Sequence, residues 1–156
     1  MSRHFTASAF VTHAGRVLLI LHRAKGLWLP PGGHVEPDEP PTAAAVREVF
    51  EETGLAVTIT SPRVPAGCPG VAPRPEASLE VEVAPNHTHL DLVYFAVPRP
   101  GQDPSATAPN AEVATLHWWS AEEIAAGRPA VPLGVVGTLP RTVADLAGAA
   151  LRAPAR

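Results

Sequence analysis

The feature of this chain that most restricts its fold is a helix whose beginning and end can both be read from the sequence. Pro40 and Pro41 suit a first turn, because proline lacks the amide hydrogen that a first turn leaves unused. The range from Ala43 to Glu52 holds no helix breaker, and Gly54 suits the left-handed position after the last turn. At about 100° per residue, one side of this helix carries four residues that we expect to face a core: Val46, Val49, Phe50 and Thr53.

The other side of the helix is negatively charged. It carries Glu48, Glu51 and Glu52 within about 100° of arc, and no basic residue lies at a helical spacing that would neutralise Glu48 or Glu52. Like charges three or four residues apart destabilise a helix by about 0.2–0.5 kcal/mol per pair. Between Glu36 and Glu52, six acidic residues face a single base, Arg47. Such a surface is either an ordinary solvated face or a binding site for a cation.

The turn before the helix favours the cation site. Residues 28–33 read Trp-Leu-Pro-Pro-Gly-Gly, a rigid turn followed by two glycines that let the main chain approach a ligand closely. Carboxylates and a main-chain carbonyl are oxygen ligands, which favour Mg²⁺ or Mn²⁺ over zinc. Because the usual partner of such an ion is a phosphate, we expect a phosphate-containing substrate.

The glycine turn and the helix together match one long pattern. The pattern is G-x5-E-x7-R-E-U-x-E-E-x-G-U, where U is aliphatic, and its fixed positions are filled by Gly33, Glu39, Arg47, Glu48, Val49, Glu51, Glu52, Gly54 and Leu55. This segment resembles the signature of the Nudix hydrolase family, the Nudix box. The resemblance implies an α/β fold, a Nudix-like α/β/α sandwich in which a mixed β-sheet lies between helices and the box forms a loop-helix-loop. It also implies that residues 1–156 form a single Nudix hydrolase domain.

An activity follows from the same resemblance. Nudix pyrophosphohydrolases act on phosphorus-containing acid anhydrides: with a metal-activated water they cleave a phosphoanhydride bond of a nucleoside diphosphate that is linked to another moiety X. The implied cofactor is Mg²⁺ (or Mn²⁺). The alternative is a catalytically silent Nudix-like sensor module that binds a nucleotide derivative. A sensor has no need to keep three neighbouring glutamates together, so their presence favours the hydrolase.

The resemblance also assigns roles within the box. Glu48 and Glu52 are the expected main metal ligands. Glu51 is expected to bind the metal directly or through water, and Gly33 to supply a main-chain carbonyl. Either Glu52 or Glu48 is the expected general base, and Arg47 is expected to orient the box by pairing with its carboxylates.

Residues outside the box extend the expected site. An acid from a loop late in the chain often completes Nudix sites, and Glu112 is the main candidate for this metal ligand because it precedes an expected strand from Thr115 to Trp119. Glu80 or Glu82 is the substitute. Arg23, at the end of a strand, is a candidate contact for a substrate phosphate, although an arginine there can also be simply solvated.

A row of polar side chains, His87, His89 and Asp91, alternates along one expected strand and so shares one of its faces. This row could line the substrate cleft, form a polar sheet face, or contribute to a zinc site together with a distant residue such as His117. Three ligands along one strand give poor geometry for a closed zinc site. We therefore assign the row to substrate binding.

The remaining pattern predicts the other elements. We expect, in chain order, a hairpin of strands Phe5–Thr12 and Val17–Arg23, a strand Leu55–Val64, a proline-rich segment Pro62–Pro85 with a short strand Ala77–Val83, a capping box Ser120–Glu123 that starts a helix, and a last helix from near Pro140 to about Leu151. That helix should cover the sheet with Val143, Leu146, Ala147 and Ala150. At least one of Trp118 and Trp119 should be a core residue, whereas Trp28 could lie in the core or at the mouth of the site.

Composition limits the partners and the location. The formal net charge is −3 and no block of lysine and arginine occurs, which argues against binding of duplex nucleic acid. No apolar run approaches the roughly 20 residues that a membrane helix needs. Cys68 is the only cysteine, and the first residues lack the pattern of a secretion signal, so we expect a cytoplasmic protein. The expected partner is a small nucleoside diphosphate derivative, and the resemblance allows a homodimer.

Overall fold

The chain forms one mixed β-sheet with helices on both faces. A computed structural model describes residues 2–63, 65, 68–105 and 107–154. In chain order the elements are β1 (Ser2–His13), β2 (Arg16–His22), β3 (Leu27–Leu29), β4 (Gly32–His34), α1 (Pro41–Thr53), β5 (Val57–Ile59), β6 (Ala77–Ala84), β7 (His87–Pro98), β8 (Val113–Trp119), α2 (Ala121–Ala126) and α3 (Arg141–Arg152). No helix in these ranges is both long and apolar enough to cross a membrane.

The sheet is built around β1. This strand runs parallel to β7 along most of its length and pairs in the antiparallel sense with β2 and β4. β8 and β3 lie against β2, and β5 and β6 pair with different parts of β7, all antiparallel. The sheet is therefore mixed, as the sequence predicts. Because β4 and β7 both pair with β1, the glycines of β4 and the polar row His87, His89 and Asp91 of β7 lie next to the same central strand.

The predicted first hairpin is present, but its strands have different bounds from the predicted ones. His13 pairs with Arg16, so the loop is the two-residue Ala14-Gly15, and both residues have positive φ, 48° and 72°. Two positive φ values match the right-handed twist of a hairpin. Both strands begin earlier than predicted, and β2 ends at His22, before Arg23.

The strand after α1 is shorter than the predicted Leu55–Val64. Only Val57–Ile59 is a strand, and Val64 lies outside the described residues, as do Ala66 and Gly67 of the proline-rich segment. The hydroxyl of Ser61 accepts a hydrogen bond from the Phe95 N–H at 2.9 Å. In a continuing strand a main-chain carbonyl oxygen would accept that hydrogen bond, so the regular pairing ends before Ser61. A strand within the proline-rich segment is confirmed at β6.

Two apolar cores flank the sheet. On one face α1 packs over buried residues that include Ala7, Val11 and Val57, and on the other face α3 packs over residues that include Phe10, Val93 and Phe95. Trp119 is fully buried and meets the edge of buried Trp28 at a ring distance of 5.1 Å.

These cores agree with most of the predicted packing. The inward face of α3 is confirmed, with Ala147 and Ala150 buried and Val143 and Leu146 packed against the same core. Trp119 confirms the prediction of at least one core tryptophan. Trp28 takes the core position of its two alternatives.

Helix α1 has the predicted ends but a different rotation about its axis. Pro41 begins it, and Gly54 caps it in the left-handed conformation at φ 74°. Its buried residues are Ala44, Ala45, Val49, Glu52 and Thr53, whereas Phe50, predicted to face the core, is 56% exposed. Two small alanines let the helix lie close to β1, and this turns Phe50 outward and Glu52 inward.

Candidate active site

The glycine turn brings main chain against the carboxylates of α1. Gly32 and Gly33 lie in β4 opposite Ser8 and Ala7 of β1. A Cβ atom on Gly32 would stand 2.6 Å from Ser8 Cβ and 2.7 Å from the Ala7 carbonyl oxygen, and a Cβ atom on Gly33 would overlap the Glu48 carboxylate. Glycine is therefore required at Gly32, where the sheet leaves no room for a Cβ atom, whereas a Cβ atom at Gly33 would displace the Glu48 carboxylate.

Glu52 is the buried acid of the site. Its carboxylate accepts the Gly32 N–H at 2.9 Å, and the residue is only 4% exposed, which corrects its predicted place on the side of the helix opposite the core. Burial, together with the negative charges of Glu48 and Glu112, raises the pKa of Glu52 to about 7, against the hydrogen bond from Gly32 and the positive charge of Lys25. A carboxyl group with such a pKa either exchanges a proton near neutral pH or needs a cation beside it.

Arg47 connects the other acids of the box. Its guanidinium donates to Glu39 at 2.6 Å, to Glu48 at 2.8 Å and to Glu51 at 3.2 Å, and to the His34 carbonyl oxygen at 2.9 Å. The hydrogen bond to Glu39 raises the pKa of Arg47 and lowers the pKa of Glu39. The expected pairing of Arg47 with the box carboxylates is present, and Glu48 does have a basic neighbour, adjacent in sequence.

A cavity of about 300 Å³ opens beside Glu52. Its lining joins polar residues from both ends of the chain, namely Thr6, Ser8, His22, Lys25, Gly32, Gly33, His34, Glu52, His89, Asp91 and Glu112. Glu112 thus shares the cavity with Glu52, as expected of an acid that completes the site. Glu80 and Glu82 do not line the cavity, because β6 turns the alternate residues Val81 and Val83 towards it.

Arg23 lies elsewhere than expected. Its guanidinium donates to the main-chain carbonyl oxygens of Ala111 and Val113 at 3.0 and 3.1 Å, and the residue does not line the cavity. An irregularity in the pairing of β2 with β8, between Leu21 and His22, accompanies this arrangement. Lys25, the only lysine of the chain, lines the cavity instead, and no motif or spacing in the sequence indicated it.

The polar row of β7 is divided between two roles. Asp91 accepts from Thr6 Oγ1 at 2.9 Å and from Ser8 Oγ at 2.7 Å, and burial raises its pKa. Each carboxylate oxygen of Asp91 therefore accepts one hydroxyl group, and Asp91 connects β7 to β1 in the cavity wall. His89 lines the same cavity, and burial lowers its pKa, whereas His87 lies outside the cavity lining.

His117 does not join this row. Its Nε2 atom lies 2.9 Å from Glu123 Oε1, in the hydrogen-bond network at the start of α2. Two residues that the sequence analysis did not select, His4 and His34, lie next to His87 and His89 instead. Of these four residues only His87 and His89 are connected by a sequence spacing, since His4 and His34 join them through the pairing of β1 with β4 and β7.

The residues around Glu52 fit a hard divalent cation in their chemistry. They offer carboxylate oxygens, a main-chain carbonyl at Gly33 and a buried acid with a raised pKa, which are the ligand types of Mg²⁺ and Mn²⁺. Among the described residues, no three side chains of the metal-binding types already stand around one point. Glu48 and Glu51 both lie against Arg47, so binding a cation would require at least Glu48 to turn from Arg47 towards Glu52.

Comparison with known proteins agrees with this geometry. The model of the NUDIX domain family matches residues 2–134. The chain is 31% identical to a NUDIX-family hydrolase from Clostridium perfringens, with a TM-score of 0.78 and 97% of each chain covered. It is 30% identical to phosphatase NudJ of Escherichia coli K12 over 124 residues, and these residues cover 78% of this chain and 71% of NudJ.

A bovine relative shares only part of its length. The m7GpppN-mRNA hydrolase NUDT17 is 33% identical to this chain over 109 residues, which cover 68% of the chain but 35% of the bovine protein.

Proposed function

Since the chain belongs to the Nudix family of hydrolases, we propose that it hydrolyses a nucleoside diphosphate linked to another moiety X with the help of Mg²⁺ or Mn²⁺. The observation that carries the proposal is the buried carboxyl group of Glu52, held by Gly32 in a cavity that also receives Glu112 and Lys25. Burying an acid among acids is unfavourable unless a cation offsets the charge.

Five residues are proposed to hold the cation. Glu52 and Glu48 supply carboxylates, Gly33 its carbonyl and Glu51 a further ligand, directly or through water, while Glu112 completes the site from the opposite wall. When bound, the cation neutralises diphosphate charge and lowers the pKa of water.

The protein side chains carry the remaining tasks. Gly32 fixes the carboxylate of Glu52 by its N–H, and either Glu52 or Glu48 accepts a proton from the attacking water. Without the cation, Arg47 holds Glu39, Glu48 and Glu51 around the helix, and Glu48 turns from it towards Glu52 when the cation binds. Lys25 takes the phosphate contact that was expected of Arg23, because it is the basic residue in the cavity lining.

The substrate class is proposed from the size and polarity of the cavity. About 300 Å³ with a lysine, histidines and hydroxyl groups suits a small phosphate derivative. The relatives named as a phosphatase and as an mRNA-cap hydrolase act on phosphate groups, in keeping with this class. Formation of a homodimer stays a prediction, which sedimentation would check.

A substrate screen tests the proposal. Nucleoside triphosphates, nucleotide sugars and dinucleoside polyphosphates would be incubated with Mg²⁺ or Mn²⁺, and released phosphate or pyrophosphate measured. We expect turnover of at least one class, its near-complete loss in Glu52→Gln and a clear loss in Glu112→Gln. Glu82→Gln, which alters an acid outside the cavity, is the matched control and should keep wild-type turnover.

Two results would overturn the assignment. Wild-type turnover in Glu52→Gln would show that Glu52 is not at the reacting centre. Tight binding of a nucleotide derivative without turnover of any compound, with either metal, would instead identify the sensor module.

A further inference from the structure

A second set of potential ligands lies beside the carboxylate site. His4, His34, His87 and His89 form a four-histidine cluster in which the ring centroids of neighbouring members are 4.8 to 6.3 Å apart. The cluster holds four of the seven histidines of the chain. His34 and His89 also line the cavity with Glu52, whereas His4, His34 and His87 line the neighbouring concavity on the outer side.

The cluster is a product of the sheet. His4 is paired with His89 in the parallel ladder of β1 with β7, and His34 is paired with Thr6, two residues along β1. Alternate residues of a strand share a face, so His87 and His89 point the same way. Three strands thus bring four imidazoles together at one end of the sheet.

The separation of the rings matches that of metal-bound imidazoles. With Zn–N bonds of about 2.0–2.1 Å in a tetrahedron, the centroids of imidazole rings bound to one ion lie about 5 Å apart. In five of the six pairs in the cluster, the ring centroids are 5.4, 4.8, 6.3, 4.9 and 5.1 Å apart. Moreover, the Nε2 atom of His87 is buried and has no hydrogen-bond partner among the described residues.

We propose that the four-histidine cluster binds a divalent transition-metal ion, Zn²⁺ or one of similar ligand preference, at a site separate from the carboxylates of the box. Imidazole nitrogen suits zinc, cobalt, nickel and copper, whereas Mg²⁺ prefers oxygen, so the two sites select different ions. An anion is the less suitable occupant, because binding it would require several of these closely packed rings to be charged at once.

The rings must turn to close around the ion. Several neighbours meet edge to face, at 60°, 63° and 74° between ring planes, and no three of the described metal-binding side chains yet surround a common point. His4 and His34 are exposed, so rotation about their side-chain bonds is not blocked by packing. His87 and His89 are partly buried on β7, so their side chains have less freedom to turn than those of His4 and His34.

Cobalt titration tests the site by a readout other than activity. Protein treated with EDTA would be kept in excess Mg²⁺, which occupies oxygen ligands, and titrated with Co²⁺. We expect about one equivalent of Co²⁺ with the strong visible absorption of a tetrahedral nitrogen site. His4→Ala and His34→Ala change exposed residues and should fold normally. Each should weaken Co²⁺ binding by at least about tenfold, the loss that follows removal of even an outer partner of a metal ligand.

Two control variants separate the cluster from other sites. His13→Ala removes a histidine that contacts Trp118 away from the cluster, and it should leave the Co²⁺ spectrum unchanged. Glu52→Gln should also leave it unchanged, so failure of the proposed hydrolase site and failure of the histidine site can be told apart. Circular dichroism would establish that each variant is folded.

Three outcomes would overturn the proposal. One is Co²⁺ absorption that persists in both His4→Ala and His34→Ala. Another is Co²⁺ binding that Mg²⁺ abolishes and that Glu52→Gln removes, which would place the ion at the carboxylates. The last is an absence of Co²⁺ binding together with metal-free binding of inorganic phosphate that the same histidine variants lose, which would identify an anion site.

Discussion

Glu52 lies on the buried side of α1, although the helical wheel predicts that it lies opposite the core. On a helical wheel it shares an arc with Glu48 and Glu51, and hydrophobicity directs Val46 and Phe50 inward. In the fold, Ala44 and Ala45 are fully buried, and a helix seated on two alanines carries Glu52 into the cavity. The sequence could predict which acids matter, but not which one is buried, because alanine gives a weak signal of direction.

The two glycines of β4 should respond differently to the same substitution. In Gly32→Ala the new methyl group meets main-chain and Cβ atoms of β1, which cannot move away, so we expect a loss of stability of about 1–3 kcal/mol. In Gly33→Ala it meets only the end of the flexible Glu48 side chain, so stability should be nearly kept. Displacing that carboxylate by about 1 Å should lower kcat/KM about 100-fold.

Thermal melts and steady-state kinetics on the two variants would measure this contrast. Gly15→Ser, in the first hairpin turn, is not a suitable control because Gly15 has a positive φ. Val136→Ala, at a residue that is 97% exposed, is the better one and should change neither quantity. If Gly33→Ala kept wild-type kcat/KM, the close approach of Gly33 to Glu48 would have no part in catalysis.

At the scale of elements, local signals predicted well and long-range ones did not. The first hairpin, the proline start and glycine end of α1, and the capping box of α2 all depend on neighbours in sequence, and all are confirmed. β4 is only three residues long and contains two glycines, so no propensity could predict it. It forms because Ser8, Ala7 and Thr6 of β1 offer it a partner.

Helix α2 depends on a single buried carboxylate. Glu123 accepts the N–H groups of Ser120 at 2.8 Å and Ala130 at 2.7 Å, and it contacts His117 and Arg16 at 2.9 and 3.3 Å. Burial opposes ionisation of Glu123, but these hydrogen bonds outweigh it and lower the pKa from 4.5 to about 2. The ionised group therefore stabilises the fold above pH 4.5, and this contribution is lost as the pH falls towards 2.

This linkage predicts a pH-dependent effect of Glu123→Gln. At pH 7 the variant should be less stable than the wild type by about 2 kcal/mol, because hydrogen bonds to a charged group are replaced by weaker ones. As the pH falls below 4.5, the wild type should lose its advantage and the difference should shrink. Urea unfolding at pH 7, 4 and 3 would measure it.

Glu122→Gln is the matched control for this series. Glu122 is exposed in the first turn of the same helix, and its substitution should change stability little at any of these pH values. A difference between Glu123→Gln and wild type that stays constant from pH 7 to pH 3 would contradict the linkage.

At the scale of the whole molecule, the site is assembled from distant parts of the chain. The box could be recognised from 23 consecutive residues, Gly33 to Leu55, because its spacing is fixed by one helix and one turn. The opposite wall of the cavity comes from β1, β7 and the loop before β8, and Thr6, Ser8 and His89 meet there only through strand pairing, while Lys25 reaches the cavity from the turn between β2 and β3. A single sequence carries no local record of this arrangement, which is why Lys25 was missed and Arg23 was selected.

A single cooperative domain should transmit a change in one core to the other. Val49 is fully buried on the α1 face, and in a Trp118→Phe background the remaining Trp28 and Trp119 report on the α3 face, because Trp118 packs against the α1 core. Val49→Ala removes buried methyl groups and should reduce the free energy of unfolding by about 2 kcal/mol. If the chain is one domain, tryptophan fluorescence and far-UV circular dichroism will shift to lower urea by the same amount, since both faces share β1 and β7. A fluorescence midpoint that stayed at its wild-type value while the circular dichroism midpoint moved would mean that the two faces unfold separately.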